Sequence, residues 1–477
     1  MTRKQNSISQ NAIFNVVYKS FMYVFPLIIS GYIGRVLLSD GVGRVSFVQN
    51  IVSYFTAIVA LGIPTYGTRE IAKCDSADER DRVFSSLFLI NATSTIICSI
   101  AYYSIVLFVP YFHSNLELYL IAGIQIVFNF INIDWLYQGL EEYRYIAIRS
   151  LVIRSISLIC IFVFVKNKED AWIYLLITCI VNVGNYVLNA IKARTIVHLT
   201  FHDIEIKPHL YSVFIMLATV LAIELYTKVD TTFIGLMLTD SDVGYYTYAD
   251  RIVKIPITVF AAISAVILPR LSLFYKSNEK QKFHELLQRI DESMLFLVIP
   301  ACVGMALLST DYVVALFGSD FEPAGLLLKV LSPLIIIMSL GNLFGTQAII
   351  AIGQERKKFI ATLIAGVLNI IMTPILISYT GAVGACFASV LSEGIVLIIY
   401  ILILRKYDKP TVRKSVLINV FISSILMVGY ILLLKKFELS HWFNTIIGTL
   451  GGALIYGVCF IFLDKEVRIQ IKKKICG

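Results

Sequence analysis

Charge is scarce in this chain. Asp, Glu, Lys and Arg make up 15% of its 477 residues, against about 25% in a soluble globular protein, and that shortage excludes an ordinary soluble enzyme. Long polar stretches are missing too, so no extramembrane domain is expected. There is no P-loop, zinc motif or nucleophile elbow, hence no expected cofactor, metal centre or enzymatic constellation. Without a nucleotide-binding motif, any transport must run on ion gradients or downhill flow. The start, Met1-Thr2-Arg3-Lys4, is basic and then polar, without a short apolar core and small-residue cleavage site, so the first apolar span is expected to be retained. The eight cysteines offer no extracytoplasmic disulfide. Cys98, Cys160, Cys179, Cys302, Cys386 and Cys459 fall in apolar spans, and Cys74 and Cys476 in segments expected to be cytoplasmic, where small buried thiols are the ordinary reading.

What the chain has is apolar sequence, 58% of its residues, in blocks of about 20, the length a helix needs to cross a bilayer core. Unpaired backbone is not tolerated in hydrocarbon, so these blocks should be helical. Punctuation by polar residues, Gly and Pro places fourteen spans. The first seven run about Ala12 to Gly34, Val45 to Ile63, Val83 to Val109, Leu116 to Gly139, Tyr145 to Val165, Trp172 to Ile191 and Tyr211 to Leu238. The rest run about Tyr246 to Leu268, Met294 to Phe317, Gly325 to Ile352, Phe359 to Tyr379, Ala382 to Leu404, Ser415 to Leu434 and Phe443 to Leu463. The expected fold is an all-α polytopic membrane protein.

Basic residues orient it. With the N-terminus inside, segments on that side hold 28 of the 41 Lys and Arg residues, while the opposite side holds six: Arg35, Arg44, Lys166, Lys168, Lys435 and Lys436. Retention of basic residues on the cytoplasmic side sets orientation, so both termini are expected to be cytoplasmic. The formal charge of +9 is therefore mostly topology, and nucleic acid is not an expected partner. Trp172 and Trp442 fall at expected outer boundaries, where amphipathic rings anchor. The longest polar stretches, Thr65 to Arg82 and Arg270 to Arg289, are on the cytoplasmic side.

An internal repeat is visible. Ile33-Gly34 followed by Val42-Gly43 recurs as Ile234-Gly235 followed by Val243-Gly244, each at a short outer connection. A second echo sets Gly139-Leu140-Glu141-Glu142 against Gly353-Gln354-Glu355-Arg356, after the fourth and tenth spans. Both lie six spans apart. An even spacing preserves orientation, so two six-helix lobes related by an axis along the membrane normal are expected. The corresponding domains are residues 1–200 and 201–406, followed by an accessory helix pair and basic tail at 407–477.

Seven basic residues remain within the spans. An ionisable group at membrane depth costs about 2.5–3.5 kcal/mol on insertion scales, so it is read first as paired or water-facing and functional. Glu224 with Lys228, and Asp250 with Lys254, are four apart and can neutralise each other on one helix face. Arg149 and Arg154 point to different faces, and either pair with Asp134 or snorkel. Lys19, Arg251 and Lys329 have no carboxylate three or four positions away; Lys329 is near enough to its span end to snorkel. Lys19 and Arg251 are thus the leading candidates for an aqueous cavity, with Lys254 beside them. Arg35 and Arg44 flank the first outer turn, where a cavity mouth or a plain surface would hold them equally well. Asp230 and Glu224 are candidates for coupling a proton or sodium ion. A wall richer in Lys and Arg suits an anionic cargo, because desolvated guanidinium and ammonium groups bind phosphate oxygens strongly. His198 and His202 have metal-ligand spacing, with Asp203, Glu205 or His209 as a third ligand, but a solvated linker is the favoured reading.

Several stretches carry a resemblance: Asn11 with Lys19, Tyr32-Ile33-Gly34-Arg35-Val36-Leu37, and Leu61-Gly62-Ile63-Pro64-Thr65-Tyr66-Gly67-Thr68-Arg69-Glu70. To these add Asp134-Trp135-Leu136-Tyr137-Gln138-Gly139-Leu140-Glu141 and, in the second lobe, Lys228-Val229-Asp230-Thr231-Thr232-Phe233-Ile234-Gly235. As a set, over roughly residues 5–400, the chain resembles the polysaccharide flippases that export O-antigen and capsule units, within the superfamily of multidrug and oligosaccharidyl-lipid exporters. The resemblance implies a bundle of twelve to fourteen helices in a bacterial cytoplasmic membrane. It also implies a cargo, an undecaprenyl-diphosphate-linked oligosaccharide moved from the inner to the outer leaflet by alternating access. Lys19, Arg251 and Lys254 would hold the diphosphate, with Arg149 and Arg154 at the cytoplasmic entry, and membrane lipids and a polysaccharide polymerase would be the other partners. Two rivals stand beside it: a cation-coupled multidrug exporter of the same superfamily, and a membrane-embedded polysaccharide polymerase or ligase. The short outer loops argue against the second.

Overall fold

The structure is a computed structural model that describes residues 8–200, 204–464 and Arg468, with side chains described from Pro26 onward. The side chain of Lys19, residues His202, Asp203 and Cys476, and the basic tail apart from Arg468 lie outside the described residues. Among the described residues every regular element is helical, and 13 helical stretches are long and apolar enough to cross a membrane. The protein is a multi-pass membrane protein.

The helices are α1 (Ile8–Ala60), α2 (Ile63–Lys73), α3 (Ala77–Phe108), α4 (Leu116–Val127), α5 (Asp134–Gly139), α6 (Tyr143–Phe164) and α7 (Ala171–Ala193). They continue as α8 (Lys207–Met237), α9 (Asp240–Ala265), α10 (Leu268–Lys276), α11 (Lys280–Leu307), α12 (Ser309–Phe317) and α13 (Ala324–Leu331). The remainder are α14 (Leu334–Gly341), α15 (Ile349–Ala351), α16 (Glu355–Thr380), α17 (Ala382–Leu404), α18 (Lys414–Lys435) and α19 (His441–Leu463).

Helix α1 holds the first two expected spans in one stretch. Its 53 residues would extend about 80 Å if straight, far more than one bilayer crossing, and the chain turns between two helices at a single residue, Leu38 (φ 59, ψ −177). The expected outer loop between Gly34 and Val45 is therefore a one-residue bend. The fourth span is interrupted after α4 by a 3-10 turn, Asn129–Ile131, before α5. The tenth breaks at Ser332-Pro333, where proline cannot donate to the helix ladder, and then passes through a π-helical segment, Asn342–Ala348.

Contacts divide the chain into two compact units, Met1–Thr232 and Phe233–Gly477. The first includes most of α8, because Val213 is buried in the same cluster as Ile63, Tyr66, Trp135 and Tyr137, with Met216 and Leu217 packed against it. The polar stretch after the second span contains a short amphipathic helix, α2. Pro64 starts it, Ile63, Tyr66, Gly67 and Ile71 form its buried face, and Arg69 and Lys73 stay exposed. Gly62 precedes it with φ 72, and a Cβ there would meet the Met216 Cβ at 2.4 Å. Gly67 is equally constrained, since a Cβ would lie 2.6 Å from the Trp135 ring. Two of the stretches that carry the family resemblance, around Gly67 and Trp135, thus pack directly on each other.

In the second unit, α18 packs on α11 and α19 on α12. The pair is fastened at both ends. At one end Arg413 grips Glu292 through two guanidinium nitrogens, Nη2 to Oε2 at 2.7 Å and Nε to Oε1 at 3.0 Å, and His284 Nδ1 lies 2.8 Å from Asp408. At the other, buried Asp311 accepts from Asn444 at 3.1 Å and pairs with Lys435 at 3.2 Å and His441 at 2.9 Å. Between them the Tyr456 hydroxyl donates to the Phe296 carbonyl at 2.8 Å, and Phe296 and Phe460 rings meet at 4.6 Å.

The second repeat echo is geometric as well as sequential, but in a shifted register. Glu141 and Gly353 both have positive φ. The next amide in each case reaches back five residues, Glu142 N–H to the Tyr137 carbonyl at 2.8 Å and Gln354 N–H to the Ile349 carbonyl at 3.0 Å. These are Schellman closures, and they pair Glu141, not Gly139, with Gly353.

Candidate functional site

In the first unit, α5, α6 and α7 build a partly buried charge network. Arg149 on α6 is 6% exposed. Its Nη1 donates to Asp134 Oδ1 at 3.0 Å and to Asn189 Oδ1, and Asn189 Nδ2 closes the triangle on Asp134. The helix break before α5 is what brings Asp134 to face Arg149. Asp134 was the partner expected for Arg149, whereas Asn189 carried no charge signal in the sequence. Aromatic rings enclose the cations: the Arg149 guanidinium lies 5.5 Å from the Tyr145 centroid, and the Lys192 ammonium lies 3.7 Å from Tyr145 and 5.2 Å from Tyr137. Lys192 also pairs with Glu142, and the Tyr137 hydroxyl donates to the Asn189 carbonyl at 2.6 Å. Arg154 is half-buried on the same helix.

A second polar cluster joins the later half of α1 to α8. Thr232 Oγ1 donates to the Lys228 carbonyl at 2.9 Å. It is then left to accept from Asn50 Nδ2 at 2.7 Å and from the Tyr54 hydroxyl at 2.8 Å. Glu224 and Asp230 lie on the same helix as Thr232, eight and two residues before it. Asp230 is buried at 7% exposure. Glu224 is half-buried, and its Oε2 is shielded without a hydrogen-bond partner among the described residues. No ion pair joins Glu224 to Lys228 among the described residues. Asn50 and Tyr54 were not singled out by sequence, because neutral polar residues in an apolar span have many ordinary uses.

In the second unit, α9 carries Asp250, Arg251 and Lys254. Lys254 pairs with Asp250 at 2.7 Å, as their spacing allows. The half-buried Arg251 lies over the Tyr248 ring at 5.3 Å, and Tyr248 in turn stacks on Phe321 at 4.8 Å. Of the outer candidates, Arg44 pairs with Asp40 at 2.6 Å just past the α1 bend, and Arg35 is exposed on the preceding turn. Lys19 lies on α1. Each unit thus gathers some of the expected residues: Arg149 with Asp134, Glu224 and Asp230 on the helix that bonds Tyr54, and Arg251 with Lys254 on one helix. The linker histidines are separated: His209 Nδ1 bonds the Tyr66 hydroxyl at 2.8 Å, and the His198 amide donates to Asp81.

Thirteen helical stretches among the described residues, long and apolar enough to cross a membrane, define a polytopic membrane protein, and ionisable side chains within such stretches mark a candidate functional site. The family model described as "Polysaccharide biosynthesis protein" matches residues 8–274, and the chain belongs to that family. A "Putative O-antigen transporter" of Escherichia coli (strain K12) is 25% identical over 416 residues, covering 85% of this chain and 98% of that protein. A "Probable low-salt glycan biosynthesis flippase Agl15" of Haloferax volcanii is 33% identical over 170 residues, 36% of each chain. Among solved structures, "Lipid II flippase MurJ, inward closed conformation" superposes with a TM-score of 0.77 at 19% identity, covering 96% of this chain and 99% of that one. That likeness establishes the fold.

Proposed function

We propose that this protein is a flippase that moves undecaprenyl-diphosphate-linked oligosaccharide units from the inner to the outer leaflet of the bacterial cytoplasmic membrane by alternating access, and that it performs no covalent chemistry. The observation that carries this reading is the near end-to-end match to an O-antigen transporter, 98% of that protein's length, on a fold shared with a lipid II flippase. The excess of basic residues on one side, 28 against six, supports cytoplasmic termini.

In each unit the cations at membrane depth are the proposed diphosphate contacts during translocation: Lys19 in the first, Arg251 and Lys254 in the second. Arg154 and Arg149 stand toward the basic end, where Arg149 would exchange Asp134 for a cargo phosphate. Arg35 and Arg44 line the opposite mouth. Glu224 and Asp230, on the helix that bonds Tyr54, are the proposed coupling carboxylates, and a polysaccharide polymerase is the proposed consumer of the flipped unit.

The test is a deletion strain. Lipid-linked single units should accumulate on the cytoplasmic leaflet, whereas accumulation on the outer leaflet would assign the chain to polymerisation instead. Lys19→Ala and Arg251→Ala should each abolish polymer export at normal membrane abundance. Unchanged export in both would remove the cationic contacts from the scheme.

A further inference from the structure

At the basic end of the second unit, α10, the first three turns of α11 and the residue before α18 enclose a cleft of about 480 Å³. Its walls bear Lys282, Arg289 and Arg413 against Glu285 and Glu292, with Phe274 and Leu286 as the apolar part. One carboxylate is neutralised and the other bonds a neutral amide. Glu292 is held by Arg413 and accepts from Gln288 at 3.2 Å, and Glu285 accepts from Gln281 at 2.9 Å. Lys282 pairs at 2.5 Å with Glu279 but keeps 63% of its side chain exposed. Arg289 is exposed and makes no ion pair among the described residues. The cleft therefore offers an unmatched guanidinium, an exposed ammonium beside it and an apolar wall.

Its surroundings say what kind of anion fits. Val266, just before α10, is 76% exposed, and Leu273 on α10 is 59% exposed. Apolar side chains turned outward next to cations form the composition of a segment that meets the headgroup and acyl boundary of a bilayer. A soluble anion would gain nothing from Val266 and Leu273, whereas a lipid would cover them with its chains while its phosphate met Arg289.

We propose that this cleft binds the headgroup of an anionic phospholipid, with Arg289 and Lys282 on the phosphate, Phe274 and Leu286 against the glycerol, and the acyl chains over Leu273 and Val266. The Arg413–Glu292 pair forms the rigid back wall. A lipid held there would bridge α10, α11 and the chain leading into α18, staying resident while cargo passes elsewhere.

Purified full-length protein in detergent, titrated with phosphatidylglycerol or phosphatidylethanolamine and read by native mass spectrometry, tests this. Phosphatidylglycerol should be retained in preference to phosphatidylethanolamine. Arg289→Ala should weaken its retention about fivefold and Lys282→Ala with Arg289→Ala by roughly the square of that, as expected for cations near an anionic headgroup. Lys436→Ala, at the other end of α18, should change nothing. Glu285→Gln, which removes a negative wall, should strengthen retention, a gain that misfolding cannot mimic. Equal retention of the two lipids, full retention by the double variant, or an equal loss in Lys436→Ala would overturn the proposal. Displacement of phosphatidylglycerol by equimolar inorganic phosphate would overturn it in favour of a soluble-phosphate site.

Discussion

Arg149 Nη1 lies 3.0 Å from Asp134 Oδ1, with the guanidinium side chain only 3% exposed. The arginine is buried but Asp134 keeps 36% of its side chain exposed, so removing Arg149 leaves a half-solvated carboxylate and the buried Asn189 amide without their donor. Arg149→Ala should destabilise the protein by about 1–3 kcal/mol, while Arg149→Leu with Asp134→Leu should recover most of that loss. Thermal unfolding in detergent, read beside export, separates the two roles of the arginine. A stable Arg149→Ala protein that no longer exports would mean that the side chain serves the cargo more than the fold.

The fastening of α18 and α19 makes a second forecast. Asp311, at 6% side-chain exposure, gathers Lys435, His441 and Asn444. Asp311→Ala should cost about 1–3 kcal/mol, chiefly by leaving the buried Asn444 amide unmatched. His441→Ala should cost far less, because the histidine side chain is 50% exposed. Limited proteolysis at the 436–440 turn reports the loosening directly, and equal resistance in wild type and Asp311→Ala would refute the clamp.

The contact between Gly67 and Trp135 predicts an overpacking defect. Gly67→Ala places a methyl group 2.6 Å from the indole, which the α2–α5 contact can relieve only by separating, at about 1–3 kcal/mol. The fluorescence of Trp135, compared in a background lacking Trp172 and Trp442, should shift to the red. Gly62→Ala combines crowding with a left-handed φ of 72 and should be the worse of the two.

The cluster around Tyr54 tests the proposed coupling. Glu224→Gln should remove the dependence of export on an imposed proton or sodium gradient while leaving the protein in the membrane. Lys228→Ala should leave that dependence intact, since no ion pair between Lys228 and Glu224 is lost. Export assays with each gradient collapsed in turn distinguish these outcomes, and an unaltered gradient response in Glu224→Gln would count against the carboxylate.

Long apolar runs made the helices legible, because length and composition alone decide whether a segment can cross hydrocarbon. Local backbone events were not legible. Leu38 turns α1 through a single positive-φ residue, and leucine carries no compositional mark of a bend. For the same reason the repeat was read through Gly139, although it is Glu141 that shares the left-handed position with Gly353. The charged members of the sites that fall within the expected spans were visible by their rarity. Asn50, Tyr54, Asn189 and Lys192 were not, since only tertiary contact distinguishes a neutral polar residue in a span from any other, or a loop-end lysine from a topological one.

Helices α18 and α19 have a bearing on descent. Their two anchor points, Glu292 with Arg413 and Asp311 with Lys435, set carboxylates of one part of the chain against cations of another. A twelve-helix relative without the final pair would inherit two acids with nothing to answer them. Such a relative should therefore carry neutral residues at the positions of Glu292 and Asp311, and gain or loss of the pair during evolution should be accompanied by exchange at those two sites.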